Sequence, residues 1–388
     1  MSGTYDVIVV GGGVLGASTA YHCGKAGLRV LLLDKEESLS GTSGATFAWC
    51  GAHLKSPASY NLMSQRAIGL YAGLEKELEA DLEYGRVGSI SLLPPGEFEQ
   101  WRERIKDMRA EGYALELLDA GQVHAREPET PEFYSGGLYC SIDVEVNPFL
   151  LVAAFLRSAR KHGVEIRYGR EVQGIDGGNG SCHVVTRHEE YRAERVVLAG
   201  GIHSAGLGEM IGCEIPVNQS RGQILVTERA PRMLYGFVGL RKSPAEGGFM
   251  LRQVRQGNVL VGFTEEAVAF DSRVTAEGMR LLADNTMAGF PALGRLQVIR
   301  VYAGIRPMPA DGLPIISEIP GRPGLILTAT HSGYTLAVLV GRTVADRVLG
   351  RDESGFFETY GLQRFAAQAA APAMKPPAAA GSFGGGAP

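Results

Sequence analysis

Three glycines near the start of the chain, Gly11, Gly13 and Gly16, have the spacing G-x-G-x-x-G, which can bind phosphate. In this spacing the first glycine turns the chain sharply, the second lets the backbone approach a pyrophosphate, and the third lets a helix pack close to a strand. The N-terminus of that helix offers unpaired N–H groups and partial positive charge to the phosphates. Asp34, 18 positions after Gly16, stands where a carboxylate accepts hydrogen bonds from a ribose. The pattern predicts a dinucleotide site, and the alternative is a glycine-rich turn in another α/β protein.

The elements around these glycines favour the dinucleotide site. Residues 5–10 read YDVIVV and predict a strand that is buried on both faces, and residues 17–22 continue as a helix. Residues 28–33 read LRVLLL and predict a second strand that ends at Asp34. Strand, helix, strand and acid in this order predict an α/β fold with a Rossmann-like first domain.

Two later strands are predicted to return to the same crevice. Residues 196–198 form a buried strand that leads directly into Ala199 and Gly200. A turn of small residues at the carboxyl end of a parallel strand is typical of a cofactor crevice. A last buried strand, residues 324–329, leads to His331 and a closing helix.

Between these strands the pattern becomes antiparallel. Strands joined by hairpins from 217 to 301 predict a second, mainly antiparallel sheet with helices, inserted into the first domain. We therefore predict a discontinuous first domain (1–84, 143–216 and 302–365), a substrate domain (85–142 and 217–301) and a disordered Ala/Pro/Gly tail (366–388).

Other local patterns predict a helix over 58–83, a strand over 86–94, a surface helix over 97–110 and a helix over 149–162. The helix over 149–162 has Asn147 as a candidate N-cap and Pro148 at its first position. The loop over 35–46 consists mostly of small residues and is predicted to enter a helix.

Composition limits the function classes. The chain has 388 residues and a net charge of −4, with no basic cluster interleaved with aromatic residues, so nucleic acid is not a predicted partner. No uninterrupted apolar run reaches the length of a membrane span, and only four residues precede the first strand, which predicts a cytoplasmic protein without a signal peptide. The five scattered cysteines predict free thiols, and no metal cluster is predicted. Peripheral membrane contact and homo- or hetero-oligomers remain open.

These pieces resemble the D-amino-acid oxidase family of FAD-dependent flavoproteins, in its branch of glycine oxidases, sarcosine oxidases and amino-acid and opine dehydrogenases. The resemblance is carried by residues 11–34, 41–44, 196–201, 304–307 with 311–312, and 329–336. Its most specific part pairs Gly-x-Arg-Pro with a C-terminal strand that is followed by His-Ser-Gly. It implies a GR2-type FAD-binding domain, with the isoalloxazine ring at the interface with the substrate domain.

The resemblance also implies roles for Arg306, Tyr302 and Arg252, and His53 is a candidate because it lies just past the cofactor loop. Arg306 of Gly-x-Arg-Pro would hold the substrate carboxylate, by charge-assisted bonds that each contribute about 1.5–3 kcal/mol; the alternative is a structural salt bridge. Tyr302 would form an aromatic side wall or belong to the core. Arg252 would meet a second carboxylate or lie on the surface, and His53 would line the pocket or simply pack.

For the cofactor, the resemblance implies contacts from several segments: Gly11, Gly13, Val14, Leu15, Gly16, Asp34, Lys35, Thr42, Ser43, Gly44, Ala45, Val172, Ala199, Gly200, Gly304, Arg306, His331, Gly333, Tyr334 and Thr335. The segment from His331 to Thr335 would stabilise negative charge on the reduced flavin. Some relatives attach FAD through a cysteine near Gly-x-Arg-Pro or through a histidine where Ala48 stands here. This chain has neither residue in place, so we predict non-covalent FAD.

The implied reaction is oxidation of the C–N bond of an amino acid or N-substituted amino acid, by hydride transfer to the flavin and hydrolysis of the imine to an oxo-acid and an amine. The chain has no second G-x-G-x-x-G after a strand for NADPH, so electrons are predicted to come from the substrate. The electron acceptor would be oxygen, a quinone or a partner subunit. Sarcosine oxidases use a lysine to react with oxygen, and Leu260 occupies the matching position in this chain.

Three alternatives remain. The chain could be the catalytic subunit of an opine, iminodiacid or proline dehydrogenase complex, with Arg252 suited to a dicarboxylate. It could also be a non-catalytic FAD-binding subunit, because one fold hosts unrelated functions. A flavin-dependent tRNA-modifying enzyme would need a basic face, which the net charge of −4 disfavours.

Overall fold

The computed structural model describes residues 4–178 and 181–370. In chain order the strands are β1 (Tyr5–Val10), β2 (Val30–Leu33), β3 (Trp49–Cys50), β4 (Ser89–Leu93), β5 (Glu116–Asp119), β6 (Gly136–Cys140), β7 (Val144–Glu145), β8 (Glu165–Arg167), β9 (Val172–Gly178), β10 (Ser181–Thr186), β11 (Glu190–Leu198), β12 (Val217–Arg229), β13 (Phe237–Leu240), β14 (Phe249–Gln253), β15 (Asn258–Gly262), β16 (Glu266–Ala267), β17 (Val298–Pro309), β18 (Ile315–Glu318) and β19 (Leu325–Ala329).

The helices are α1 (Val14–Lys25), α2 (Ala58–Gly69), α3 (Leu74–Leu78), α4 (Phe98–Ala110), α5 (Ala120–Arg126), α6 (Pro148–Lys161), α7 (Ser204–Met210), α8 (Ala276–Gly289), α9 (Gly333–Val348), α10 (Phe356–Thr359) and α11 (Gln363–Ala370). Short 3-10 turns lie at Thr42–Gly44, Gly201–His203, Pro244–Glu246 and Pro291–Arg295. No helix among the described residues is long and apolar enough to cross a bilayer.

The first sheet has the strand order β18-β19-β11-β1-β2-β8, and its central strands are parallel. Successive side chains of β1 point to opposite faces, so Val7 and Val9 pack in one core cluster and Ile8 in another. Helices α1, α6 and α9 cover the first face, with Phe155 and Leu336 among their buried residues. The predicted α/β class is confirmed.

The second sheet has the order β16-β12-β15-β14-β13-β4-β6-β5, and β17 pairs with β12. Its pairs are antiparallel except for β13 with β4. Phe249, Leu251, Val259 and Val261 form its core together with Leu282 of α8. This is the inserted sheet that the hairpin pattern predicts.

Strand β17 crosses the boundary predicted at 301/302. It pairs without a change of sheet from Thr227↔Val298 to Val217↔Pro309, so residues 302–309 belong to the second sheet. The predicted start of the tail, residue 366, falls inside α11 because the helix continues to Ala370. Residues 371–388 lie outside the described residues.

Local predictions differ from the structure where a turn interrupts a pattern. The helix predicted over 58–83 is divided into α2 and α3, with Gly73 at φ +93° between them. The loop over 35–46 enters a single 3-10 turn instead of a helix, and the strand predicted over 196–198 is the end of β11. Helix α6 begins at Pro148, and the Asn147 side chain accepts hydrogen bonds from the first-turn N–H groups, as predicted.

Candidate active site

The turn after β1 packs directly under the start of α1. Gly11 has φ +106°, and a Cβ on Gly16 would lie 1.8 Å from the Gly11 carbonyl oxygen. A side chain at either position would therefore separate helix from strand. The Gly12 N–H donates to Asp34 Oδ2 at 2.6 Å, which joins the ends of β1 and β2. The predicted acid thus lies beside the glycine turn.

The small-residue loop closes over the helix N-terminus. The Val14 N–H donates to Ser43 Oγ at 3.0 Å, and the Ser43 carbonyl accepts from Tyr334 Oη at 2.7 Å. The Thr42 hydroxyl donates to the Ile305 carbonyl of β17 at 2.7 Å. The loop therefore ties α1, α9 and β17 together, and places N–H and hydroxyl groups where an anion would bind.

The remaining predicted cofactor residues are spread along the same edge of the first sheet. Ala199 donates its N–H to the Val10 carbonyl at 2.8 Å, and the space beside Gly200 is filled by Leu207. Leu15 and Val172 are buried, and Gly44 packs against the Leu39 carbonyl. Lys35 is exposed, with its Nζ 3.9 Å from Glu36 Oε1. Their contacts with the cofactor stay predictions.

Gly304 lets β17 reach the cofactor loop. A Cβ at this position would lie 2.2 Å from the Ala45 carbonyl oxygen and 3.0 Å from the Ala45 Cβ. Because the nearest atom is backbone, no side-chain rotation can relieve that overlap. The absence of a side chain at 304 therefore brings the second sheet into contact with the first domain.

A cavity of about 1150 Å³ lies where the two sheets approach one another. The predicted residues that line it are Thr42, Ala45, His53, Gly304, Arg306, His331, Tyr334 and Thr335. Gly333, which begins α9 next to this group, is not among the lining residues. The cavity extends from Arg306 to α4, which lies on the protein surface.

Among the predicted residues, Arg306 is the best candidate to bind a ligand. Its Nη1 donates to the Thr264 carbonyl at 3.0 Å, and its guanidinium lies directly over Gly222, where a Cβ would be 2.1 Å from Nη2. The guanidinium carbon is 5.7 Å from the centre of the Phe263 ring. Burial lowers the pKa of Arg306, and Glu265 opposes that shift. The group remains a cation at any physiological pH.

Arg252 is not brought to the cavity. Its Nη1 donates to the carbonyls of Phe47 (2.7 Å) and Ala48 (3.1 Å), and its Nη2 lies 3.8 Å from Glu145 Oε2. The side chain is 5 % exposed, so it is not a surface arginine either. Its guanidinium binds backbone carbonyls just before β3, and a second substrate carboxylate would need another cation.

Tyr302 and His53 have mainly structural partners. The Tyr302 hydroxyl donates to the Thr46 carbonyl at 3.0 Å, and Tyr302 is not among the residues lining the cavity. Burial raises the pKa of Tyr302 to about 12, so this hydroxyl stays protonated. Both ring nitrogens of His53 contact hydroxyls, with Nδ1 2.8 Å from Ser89 Oγ and Nε2 2.8 Å from Ser91 Oγ.

These contacts determine the tautomer of His53. Ser89 uses its proton to donate to Asp143 Oδ2 at 2.7 Å, so it accepts from the protonated Nδ1, while Ser91 donates to Nε2. Burial holds the pKa of His53 well below its ordinary value, with the Arg241 charge adding to the shift. His53, Cys140 and Asp143 place ligand atoms within 4.8 Å of one another, but those of His53 and Asp143 are already hydrogen bonded.

Sequence reasoning missed four cationic side chains that line this cavity, Lys55, Arg104, Arg241 and Lys242. Lys55 stands between Leu54 and Ser56 with no motif around it, and Arg241 follows β13 in a connection without a regular pattern. The sequence signal that could have identified Lys55 is its position, because it lies two residues after the candidate residue His53.

Comparison with known proteins decides the family. The family profile described as "DAO: FAD dependent oxidoreductase" matches residues 6–347. The chain belongs to this family. The predicted resemblance is confirmed, and FAD is the cofactor of this oxidoreductase.

Similar proteins cover nearly the whole DAO-family chain. One of the subunits of opine oxidase from Rhizobium meliloti is 30 % identical over 94 % of this chain and 99 % of its own length. Hydrogen cyanide synthase subunit HcnC from Pseudomonas aeruginosa is 28 % identical over 92 % and 96 %. The crystal structure of glycine oxidase from Geobacillus kaustophilus superposes with a TM-score of 0.86 at 27 % identity, covering 93 % and 99 %. These likenesses agree with the assignment of the chain to the DAO family of FAD-dependent oxidoreductases.

The residues present fit FAD. The glycine turn has no room for a side chain, Asp34 stands beside it, and the Val14 N–H group and the Ser43 hydroxyl meet at the start of α1. The cavity is continuous with this region through Thr42 and Ala45. Phosphates would be held at the start of α1, and the ring system would lie toward Gly304 and His331.

Proposed function

We propose that this DAO-family chain oxidises the C–N bond of an amino acid or N-substituted amino acid, giving an imine that water hydrolyses to an oxo-acid and an amine. The observation that carries the proposal is the position of Arg306, a cation in the cavity wall two residues after Gly304, which touches the cofactor loop. A carboxylate bound there would lie next to the cofactor. The names of the relatives, opine oxidase and glycine oxidase, support the same substrate chemistry.

Bound FAD supplies the hydride acceptor, and the chain supplies binding and orientation. Arg306 fixes one end of the substrate, because a guanidinium and a carboxylate pair in a planar, bidentate geometry. His331 stays neutral, since burial and the charges of Arg306 and Lys55 lower its pKa to about 3. It therefore adds no positive charge that would disfavour loss of a hydride from the substrate carbon.

Anaerobic mixing tests the proposal. We expect a panel of amino acids and N-substituted amino acids to bleach the flavin absorbance of the purified holoenzyme. Arg306→Ala should raise KM for carboxylate substrates at least about tenfold, because each lost charge-assisted bond contributes about 1.5–3 kcal/mol. Arg306→Lys should recover part of this loss. Arg280→Ala, on the surface of α8 and paired with Asp284, is the matched control.

Bleaching by no member of the panel would contradict the proposed reaction and favour a non-catalytic FAD-binding subunit. Unchanged kinetics in Arg306→Ala would remove Arg306 from the site while leaving the reaction in place.

A second candidate is that the chain works as the FAD subunit of a larger opine, iminodiacid or proline dehydrogenase. Two of the relatives are named as subunits. At the start of β17, Val298, Ile299 and Val301 are 53, 60 and 40 % exposed, which is unusual for neighbouring apolar residues on both faces of a strand. Reoxidation of the reduced chain by a soluble quinone but not by oxygen would favour this candidate. Rapid reoxidation by oxygen would favour an independent oxidase.

A further inference from the structure

We propose that the cavity binds a second anionic group of its substrate at Lys55, supported by Arg241, so that the substrate class is an N-substituted amino acid with two carboxylates. This inference rests on the proposed function for the first carboxylate at Arg306 and for the C–N bond that is oxidised. It assigns to Lys55 the role that sequence reasoning predicted for Arg252.

The ammonium group of Lys55 is buried without a protein partner. Its Nζ makes no hydrogen bond within the part of the chain that the structure describes, and Lys55 lines the same cavity as Arg306. Its aromatic neighbour is the Tyr60 ring, whose centre is 5.1 Å away. A buried ammonium without a hydrogen-bonding partner is costly. An anionic ligand in the cavity would remove that cost.

The buried acid Asp143 is not available to pair with Lys55. Asp143 attracts both Lys55 and Arg241 at longer range. Its two carboxylate oxygens, however, already accept from the Trp49 indole (2.9 Å), the Ser89 hydroxyl (2.7 Å), the Ala52 N–H (2.8 Å) and the Cys140 thiol (3.3 Å). The acid therefore serves the β3–β7 region, and the Lys55 side chain, which lines the cavity, has no buried acid as a direct partner.

Arg241 places a further positive charge beside the segment that carries Lys55. Its Nη1 donates to the His53 carbonyl at 3.1 Å, two residues before Lys55, and the side chain also lines the cavity. This bond holds the segment in place. An arginine that orients the backbone and a lysine in the same cavity wall together suit a ligand with a terminal carboxylate.

The two cation sites face one ligand space. Arg306, Lys55 and His331 all line this cavity, and the charges of Arg306 and Lys55 both lower the pKa of His331. The cavity of about 1150 Å³ is far larger than an amino acid needs, even with a flavin ring inside it. A substrate with an acid at each end and the reacting nitrogen between them would use both sites.

Matched substrate pairs test the inference in the holoenzyme. N-(Carboxyalkyl)glycines with one to three methylenes, beginning with iminodiacetate, are compared with the N-alkylglycines that lack the second carboxylate. In the wild type we expect kcat/KM for the best diacid to exceed that of its monoacid partner by about tenfold or more. Lys55→Met should bring this ratio toward one, mainly through KM for the diacid, and Lys55→Arg should keep most of it. Lys161→Met, at an exposed pair with Glu79, should leave the ratio as in the wild type.

A binding measurement separates this inference from the proposed function. Glutarate, which has no C–N bond to oxidise, should perturb the flavin spectrum of the wild type and bind about tenfold or more weakly to Lys55→Met. If the monoacids bleach the flavin as well as the diacids do, the proposed function stands and the second site is wrong. If no compound bleaches the flavin but glutarate binding depends on Lys55, the site stands and the reaction is wrong. An equal loss with both substrate classes in Lys55→Met would assign Lys55 to the reaction itself and overturn the inference.

Discussion

Burial controls the protonation of the side chains around the cavity. Burial lowers the pKa of Lys55 to about 7, although Asp143 and Cys50 oppose the shift. His331 and His53 are driven the same way and stay neutral, because an imidazole starts from a much lower pKa than an amine does. The pKa of Lys55 therefore lies near neutral pH, so the charge of Lys55 changes in that range while His331 and His53 stay neutral.

The binding of a dicarboxylate should depend on pH through Lys55. The ligand needs the protonated amine, so affinity is highest below pH 7 and falls as pH rises through the pKa of about 7. The dissociation constant of glutarate, measured from pH 6 to 9, checks this.

The groups that surround Lys55 do not produce the same profile. Burial raises the pKa of both Cys50 and Tyr60 to about 12 and lowers that of His331 to about 3, so all three stay neutral from pH 6 to 9. Burial also raises the pKa of Asp143, but its hydrogen bonds from Ala52, Ser89, Cys140 and Trp49 oppose the shift. Loss of a proton from Asp143 with rising pH would add negative charge near Lys55 and so raise the pKa of Lys55.

Lys55→Arg is the matched control for that profile. A guanidinium stays charged over the whole range, so its profile should be flat where the wild type falls. A flat profile in the wild type as well would contradict the role of Lys55.

At the scale of elements, the contact between β17 and the cofactor loop connects the two parts of the chain. Gly304 touches Ala45, and the Thr42 hydroxyl binds the Ile305 carbonyl. The same strand then presents Arg306 to the cavity. The cofactor loop and the carboxylate site are thus held by one strand whose register with β12 is unbroken from Arg300 to Pro309.

Gly304→Ala should weaken FAD binding. The added Cβ would lie 2.2 Å from a backbone oxygen, so either the loop or β17 must move. We expect the FAD dissociation constant, measured by fluorescence titration of the apoprotein, to rise at least severalfold. Gly206→Ala is the control, since a Cβ at Gly206 in α7 meets nothing within 4 Å. Wild-type FAD affinity in Gly304→Ala would show that the contact does not position the loop.

The elements that the sequence predicts well are those with local signals. The β1–α1–β2 unit follows from the glycine spacing and two apolar strands, and the α6 cap follows from Asn147 and Pro148. The end of β17 could not be predicted, because it depends on register with the distant strand β12. The positions of Arg252 and Lys55 depend likewise on tertiary packing, since one binds backbone carbonyls and the other is among the residues that line the cavity.

At the scale of the whole molecule, two sheets with separate cores meet around one cavity. The first sheet contributes the turns at the ends of its parallel strands, and the second contributes β12, β14, β15 and β17 to the opposite wall. A ligand that touches both sides stabilises the folded state, because it binds the native protein and not the unfolded chain. FAD is such a ligand in this family.

Removal of FAD should therefore lower thermal stability. At free FAD about 100-fold above its dissociation constant, the holo form gains about 2.7 kcal/mol. Scanning fluorimetry of holo, apo and reconstituted protein should show Tm falling and returning, and NAD⁺ at the same concentration should have no such effect. Acid precipitation should release the yellow colour into the supernatant, in keeping with non-covalent FAD. Yellow colour in the pellet would contradict non-covalent binding, and a Tm that does not change with FAD would contradict stabilisation by the cofactor.

The short interval between Gly304 and Arg306 has an evolutionary consequence. A mutation that moves the carboxylate-binding site away from Arg306 also disturbs the cavity wall at Gly304, where the flavin would lie. This part of the strand therefore tolerates little sequence variation. Leu240 and Met250 line the cavity from other strands of the second sheet and are free of that constraint. New substrate preferences in this lineage should therefore arise by exchange of side chains on those strands, while the residue that binds the first acid group is inherited unchanged.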